Sequence, residues 1–201
     1  MTRRMSTNES PEISAASRHV AAANADNADL KALIRTIPDF PKPGIQFRDV
    51  TTLLLDRCGF SSCVGRMAAA APGPVDLVAG VEARGFLFAG ALADRLNAGV
   101  LLIRKDGKLP GATIAEDYAL EYGQDRIAMH ADACAPDARV LLVDDLIATG
   151  GTARAAVRLL RKAGARVVQA QFLVDLPELG GADALRKDGV DVHALVAFEG
   201  H

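Results

Sequence analysis

The chain has 201 residues, half of them hydrophobic, with 4% aromatics, no tryptophan and a formal net charge of -2. That length suits one domain, with or without an extension, whose core is filled by Ala, Val and Leu. The charge excludes a nucleic-acid or membrane protein held by bulk electrostatics, and no run approaches the ~20 apolar residues of a membrane span.

In chain order, residues 1–28 are rich in Ala, Ser and Asn and are expected to form a disordered tail. They offer too little apolar surface to offset the entropy of ordering. Arg3 and Arg4 hint at a presequence, but Glu9 and Glu12 follow without an apolar h-region, so export is not expected. The folded domain is expected over 29–201. Asp29 is placed to cap a short helix in which Leu30, Leu33, Ile34 and Ile37 share a face, and Pro38, Pro41 and Pro43 stop it. Residues 45–50 read as an edge strand or loop, and 60–71 as a helix. After Pro72-Gly73-Pro74 an alternation begins: strand 75–81, helix 85–97, strand 100–104, a long polar loop 105–123, and a weak strand 127–130. A buried strand 139–144, helix 152–163, strand 166–174, short helix 181–187 and last strand 191–198 complete it.

Strands of continuous Val, Leu and Ile separated by helices predict a single α/β domain with a parallel sheet covered on both faces. Ligands of such sheets lie beyond the carboxyl ends of the strands. Cys58, Cys63 and Cys134 are an odd number without a C-x-x-C pair, which predicts reduced thiols in a cytoplasmic protein. His19, His130, His193 and His201 form no ligand spacing, so no zinc site is expected.

One stretch falls at a carboxyl end: V-L-L-V-D-D-L-I-A-T-G-G-T, residues 140–152. Adjacent carboxylates repel each other unless something bonds them. A vicinal diol does so, since each carboxylate accepts and each hydroxyl donates, and a nearby magnesium ion would also help. Gly150 and Gly151 let backbone N–H groups approach an anion, the helix beginning near Thr152 adds its dipole, and Thr149 and Thr152 supply hydroxyls. Carboxylates for a ribose and amides for a 5′-phosphate match a ribose 5-phosphate group. The plainer alternative is a helix cap with two solvated aspartates. Neither a Walker loop nor a G-x-G-x-x-G fingerprint is present.

The string resembles the PRPP-binding site of the type I phosphoribosyltransferases. I-P-D-F-P-K-P-G-I-Q-F-R-D-V-T (37–51), G-V-E-A-R-G-F-L-F (80–88), L-I-R-K-D-G-K-L-P-G (102–111) and Y-A-L-E-Y-G (118–123) resemble the adenine branch of that family. The resemblance runs from about Asp29 nearly to the C-terminus. It implies a single-domain, Rossmann-like α/β fold with a flexible lid loop, and transfer of the phosphoribosyl group of PRPP to N9 of adenine, giving AMP and pyrophosphate. PRPP and adenine are the implied partners, with no nucleic acid or membrane, in a homodimer. Mg2+ is the implied cofactor, held through PRPP and water near Asp144 and Asp145.

By the same resemblance, Asp144, Asp145, Ala148, Thr149, Gly150, Gly151 and Thr152 bind PRPP. Arg84, Arg104, Lys105 and Lys108 cover its phosphates, with Arg84 and Lys105 also counted as catalytic. Glu121 handles the base proton, and Tyr122 matches a lid position. Gln46, Phe47 and Arg48 form the adenine site, read through main-chain groups. Gln46 departs from the small apolar residue common there. On the residues alone, Arg84 also fits a surface helix start, Arg48 a structural arginine, and Glu121 a charged lid position. A phosphoribosyltransferase for xanthine or hypoxanthine would share the PRPP string, and a PRPP-responsive regulator would share the fold.

Overall fold

The computed structural model describes residues 27–119 and 124–200. Helix α1 (Ala28–Ala32) opens it, followed by β1 (Arg35–Pro38), β2 (Gln46–Asp49), α2 (Thr51–Leu55) and α3 (Arg57–Ala69). Next come β3 (Leu77–Val81), α4 (Gly85–Leu96), β4 (Gly99–Lys105), β5 (Thr113–Ala119) and β6 (Gln124–His130). The chain ends with β7 (Arg139–Ile147), α5 (Gly151–Lys162), β8 (Arg166–Asp175), α6 (Gly181–Lys187) and β9 (Val192–Ala197).

Seven strands form one sheet in the order β5-β6-β4-β3-β7-β8-β9. The β4-β3-β7-β8-β9 run is parallel, as the continuous apolar strands predict. Side-chain alternation along β7 divides the core. Val140 and Leu142 pack with α5 residues such as Ala156 and Leu159 on one face. Leu141 and Val143 pack with Phe88, Leu92, Val64 and Met67 of α3 and α4 on the other. A strand buried on both faces needs apolar residues at every position, which is why 140–143 shows no alternation in sequence. Among the described residues no helix is long and apolar enough to cross a membrane.

Three local expectations change. Asn27, not Asp29, stands at the N-cap of α1, and its Nδ2 donates to the Leu195 carbonyl at 2.7 Å. Ile37 leaves the helical face and joins β1, which pairs antiparallel with β2. The proline-rich segment is thus the connection of a two-stranded ribbon. The polar segment 105–123 is not all loop: Thr113–Ala119 forms β5, paired along its length with β6 and antiparallel to it. Its Thr-Ile-Ala-Glu-Asp-Tyr-Ala composition reads as polar because one face meets solvent. Of the tail expected over 1–28, Asn27 and Ala28 instead belong to the cap and first turn of α1, while 1–26, like Leu120, Glu121, Tyr122 and Gly123, lie outside the described residues.

Candidate active site

The acidic pair sits near the carboxyl end of β7, beside the first turn of α4. Gly85 makes this approach possible, because a Cβ there would lie 2.9 Å from both Asp144 Oδ1 and the Val143 carbonyl oxygen. Asp145 is buried, and its Oδ2 accepts from Arg84 Nε at 2.5 Å. Asp144 Oδ1 accepts from the Asp145 amide at 2.9 Å. Burial and the charge of Asp145 hold the Asp144 carboxyl above its ordinary value. Burial is the largest influence on Arg84 and works against its charge, but the bond to Asp145 together with the charges of Asp145, Asp144 and Asp49 raises its pKa. Arg84 therefore pairs with the second aspartate, and the first carries the cost of two adjacent negative groups.

From this pair the chain runs into a cleft of about 140 Å³ lined by Asp144 and the run 146–153. Ala148, Thr149, Gly150, Gly151 and Thr152 all line it, together with the acid pair's first member. Gly150 takes a left-handed φ of 80° at the N-cap of α5. The first-turn amides of that 12-residue helix have no intrahelical acceptor, so the cleft offers N–H donors and the positive end of a dipole to an anion.

A second set of charges adjoins the first through the short loop between β3 and α4. Glu82 accepts from Arg104 Nε and Nη2, each at 3.2 Å, and from the Lys105 amide at 3.0 Å. The Arg104 bond holds the Glu82 carboxyl below its ordinary value. Arg104 Nη1 also donates to the Lys108 carbonyl, and the Lys108 charge reaches Glu82. Lys105 Nζ lies 3.3 Å from Asp125 Oδ2, which also accepts from the Tyr118 hydroxyl at 3.0 Å. Thr152 interacts with the same phenol, so this chain of contacts reaches back to the cleft. Arg104 and Lys105 are brought together here, each on a carboxylate that sequence reading did not single out. Glu82 stands inside the quoted G-V-E-A-R-G string, and its place two residues before Arg84 is the signal that would have found it.

The ribbon β1-β2 supplies the third part. Each strand of a two-stranded ribbon has one edge without a strand partner, where backbone groups are open to a ligand. Phe47 meets Phe40 edge-to-face at 5.2 Å. The Arg48 side chain is committed elsewhere: it donates to Thr36 Oγ1 at 2.6 Å and to the Glu199 carbonyl at 3.0 Å, and lies 4.5 Å from the Phe198 ring centroid. Asp49 closes the ribbon. Its bonds to Thr51 and Arg35 lower its pKa to about 2, and its charge reaches Arg84, on the same edge as the acid pair. Asp49 was quoted in F-R-D without a role. Gln46 lies on β2 beside Phe47, and Glu121 falls outside the described residues.

The raised Asp144 carboxyl has a consequence for stability. A group whose folded pKa exceeds its unfolded value binds more protons when folded, so stability falls as pH rises from the ordinary 3.8 through the raised value. Asp144→Asn keeps Oδ1 for the Asp145 amide and removes the charge. The ligand-free variant is therefore expected to be more stable than the parent at neutral pH and to lose less stability between acid and neutral pH. Denaturant unfolding across that range measures both, and a variant that tracks the parent's pH dependence contradicts the assignment.

Comparison with known proteins agrees with this geometry. The family of the phosphoribosyl transferase domain matches residues 66–194. The adenine phosphoribosyltransferase of Maricaulis maris is 59% identical over 173 residues, covering 86% of this chain and 99% of its own. The crystal structure of adenine phosphoribosyltransferase from Thermoanaerobacter pseudethanolicus superposes with a TM-score of 0.81 at 45% identity, covering 85% of this chain and 99% of that one. The enzyme of Saccharomyces cerevisiae, complexed with D-2,5-dideoxy-2,5-imino-altritol 1,6-bisphosphate and adenine, superposes at 0.79 with 33% identity, over 84% and 97% of the two chains. By sequence over most of its length and by fold, the chain belongs to the adenine phosphoribosyltransferase family.

Proposed function

We infer that the chain carries out purine salvage by transferring the 5-phosphoribosyl group of PRPP to N9 of adenine, giving AMP and pyrophosphate. The observation that carries this reading is one cleft in which Asp144 adjoins the amide-rich run 146–153. Asp144 and Asp145 accept the two ribose hydroxyls. The amides and hydroxyls of the 148–152 loop hold the 5′-phosphate. The base lies against 46–48, where the open strand edge reads it by backbone and Phe47 provides an aromatic face. An adenine N6 donates where a 6-oxopurine accepts, so the wrong base leaves polar groups unpaired.

In the reaction the bond from N9 to the anomeric carbon forms as the bond from that carbon to the diphosphate oxygen breaks. The electron pair leaves with pyrophosphate, and the N9 proton passes to Glu121. The chain contributes alignment, charge cover and a dry site. Its cations begin on carboxylates: Arg84 on Asp145, Arg104 on Glu82 and Lys105 on Asp125. The Arg84 and Lys105 side chains are 50% and 61% exposed, so each cation keeps contact with solvent and can turn towards a ligand. The incoming diphosphate draws Arg84 and Lys105 to itself, and the departure of Arg84 leaves Asp145 free to accept a ribose hydroxyl.

Mg2+ is proposed to arrive on PRPP. Among the described residues no three His, Cys, Asp or Glu side chains surround a common point. That fits an ion which keeps its waters and takes most of its ligands from phosphates, with Asp144 and Asp145 as the nearby hard oxygen donors. When bound, it neutralises charge developing on the leaving diphosphate. We also propose a homodimer, supported by exposed apolar side chains at Leu55 (85%) and Leu87 (51%). A cytoplasmic location is supported by three cysteines that are all free thiols. Residues 27–201 are proposed as the catalytic domain, since Asn27 and Ala28 belong to α1 and its cap, and 1–26 as a tail outside it.

Two measurements test the reading. With PRPP and Mg2+, adenine is expected to yield AMP while hypoxanthine, guanine, xanthine and orotate yield no nucleotide. Turnover of an oxopurine would discard the base site at 46–48 and keep the PRPP site. PRPP binding with no turnover of any base would favour a regulator. Glu121→Ala is expected to lower kcat about 10²–10⁴-fold, as loss of a general base does, while KM for either substrate changes little. A variant in which only KM moves would make Glu121 a lid residue.

A further inference from the structure

We propose that Gly181, some thirty residues downstream of the PRPP string, is a positioning residue that sets the 5′-phosphate loop from behind. The proposal rests on reading the 148–152 loop as the phosphate site and adds the element that holds it in place.

The loop is backed by the start of α6. The Gly181 amide donates to the Ala148 carbonyl at 3.0 Å, and the Leu176 amide donates to the Ile147 carbonyl at 3.1 Å. At Gly181 the two backbones touch. A Cβ there would lie 2.3 Å from the Ala148 oxygen, 2.6 Å from the Gly150 nitrogen and 2.9 Å from the Thr149 carbonyl carbon. The approach is reciprocal, because a Cβ on Gly150 would lie 2.9 Å from Gly181 Cα. Real Cβ atoms essentially never come within 3.0 Å, and every atom met here is backbone, which has no flexible end to swing aside.

Any side chain at 181 must therefore separate the loop from α6 by about 0.7 Å or more. Ala148 and Gly150 line the cleft, so a loop pushed away from α6 carries its amides into it. The loop's amides face a phosphate only when their positions are right, and a displacement near 1 Å can cost about 10²-fold in such a site. Gly180 differs in kind. Its φ is +71°, but a Cβ there would meet nothing within 4 Å. Gly180 is required by local conformation, whereas Gly181 is required by what stands in front of it.

The test compares Gly181→Ala, Gly180→Ala and Thr152→Ala with the parent by steady-state kinetics. Gly181→Ala is expected to raise KM for PRPP about 10²-fold while KM for adenine stays within about twofold. Gly180→Ala is strained and less stable but is expected to keep the parent's KM for PRPP. Thr152→Ala is expected to raise KM for PRPP. A folded Gly181→Ala with unchanged KM for PRPP overturns the proposal, as does an equal rise in both glycine variants. An unchanged KM for PRPP in Thr152→Ala instead overturns the phosphate-loop reading itself. If Gly181→Ala does not fold, hydrogen exchange of the parent with ribose 5-phosphate decides. The Gly181 amide is expected to gain protection together with 148–152, and protection of the loop without it overturns the proposal.

Discussion

Two adjacent carboxylates near the end of a buried strand are the constraint on which the rest of this molecule turns. A parallel sheet covered on both faces leaves its carboxyl edge as the place where polar groups can gather. Here the gathering is unfavourable until something arrives. Arg84 relieves Asp145, and Asp144 is left with a carboxyl that burial and its neighbour push upward. The ligand-free site stores its charge in pairs, acid against base, none of which is deeply desolvated on both sides. A substrate rich in hydroxyls and phosphates can exchange with those pairs at modest cost, taking the cations with one end and satisfying the acids with the other.

Backbone proximity matters as much as charge. Gly85 lets α4 reach the acid pair, and Gly150 with Gly181 lets the phosphate loop rest directly on α6. Side chains at these points would open gaps of less than an ångström, small for a fold and large for a site built on amide positions. Asp49 serves the same end by hydrogen bonds, tying the ribbon to Arg35 and Thr51 while its charge reaches Arg84.

Much of this could be read from the sequence, for identifiable reasons. Strand β3 and the start of β7 are unbroken apolar runs because both faces are covered, and the acid pair with its loop is contiguous along the chain. Helix α6 was expected over the same residues, 181–187, that it occupies. What escaped notice depends on partners distant in sequence. Strand β5 carries Glu116 and Asp117 and reads as loop until β6 pairs with it and Arg158 of α5 bonds Glu116. Strand β1 reads as the end of a helix until β2 returns to it. Arg84 and Asp145 stand 61 residues apart, and no local pattern joins them. Gly181 carries no chemistry of its own, so nothing in its neighbourhood marks it.

The most direct measurement is a calorimetric titration of PRPP with Mg2+ into the parent and into the Asp144→Asn, Asp145→Asn double variant. If the pair accepts the ribose hydroxyls as carboxylates, the double variant stays folded and loses about 10²-fold or more in affinity, two charged hydrogen bonds having been weakened. A folded double variant with unchanged PRPP affinity would contradict the account at its root.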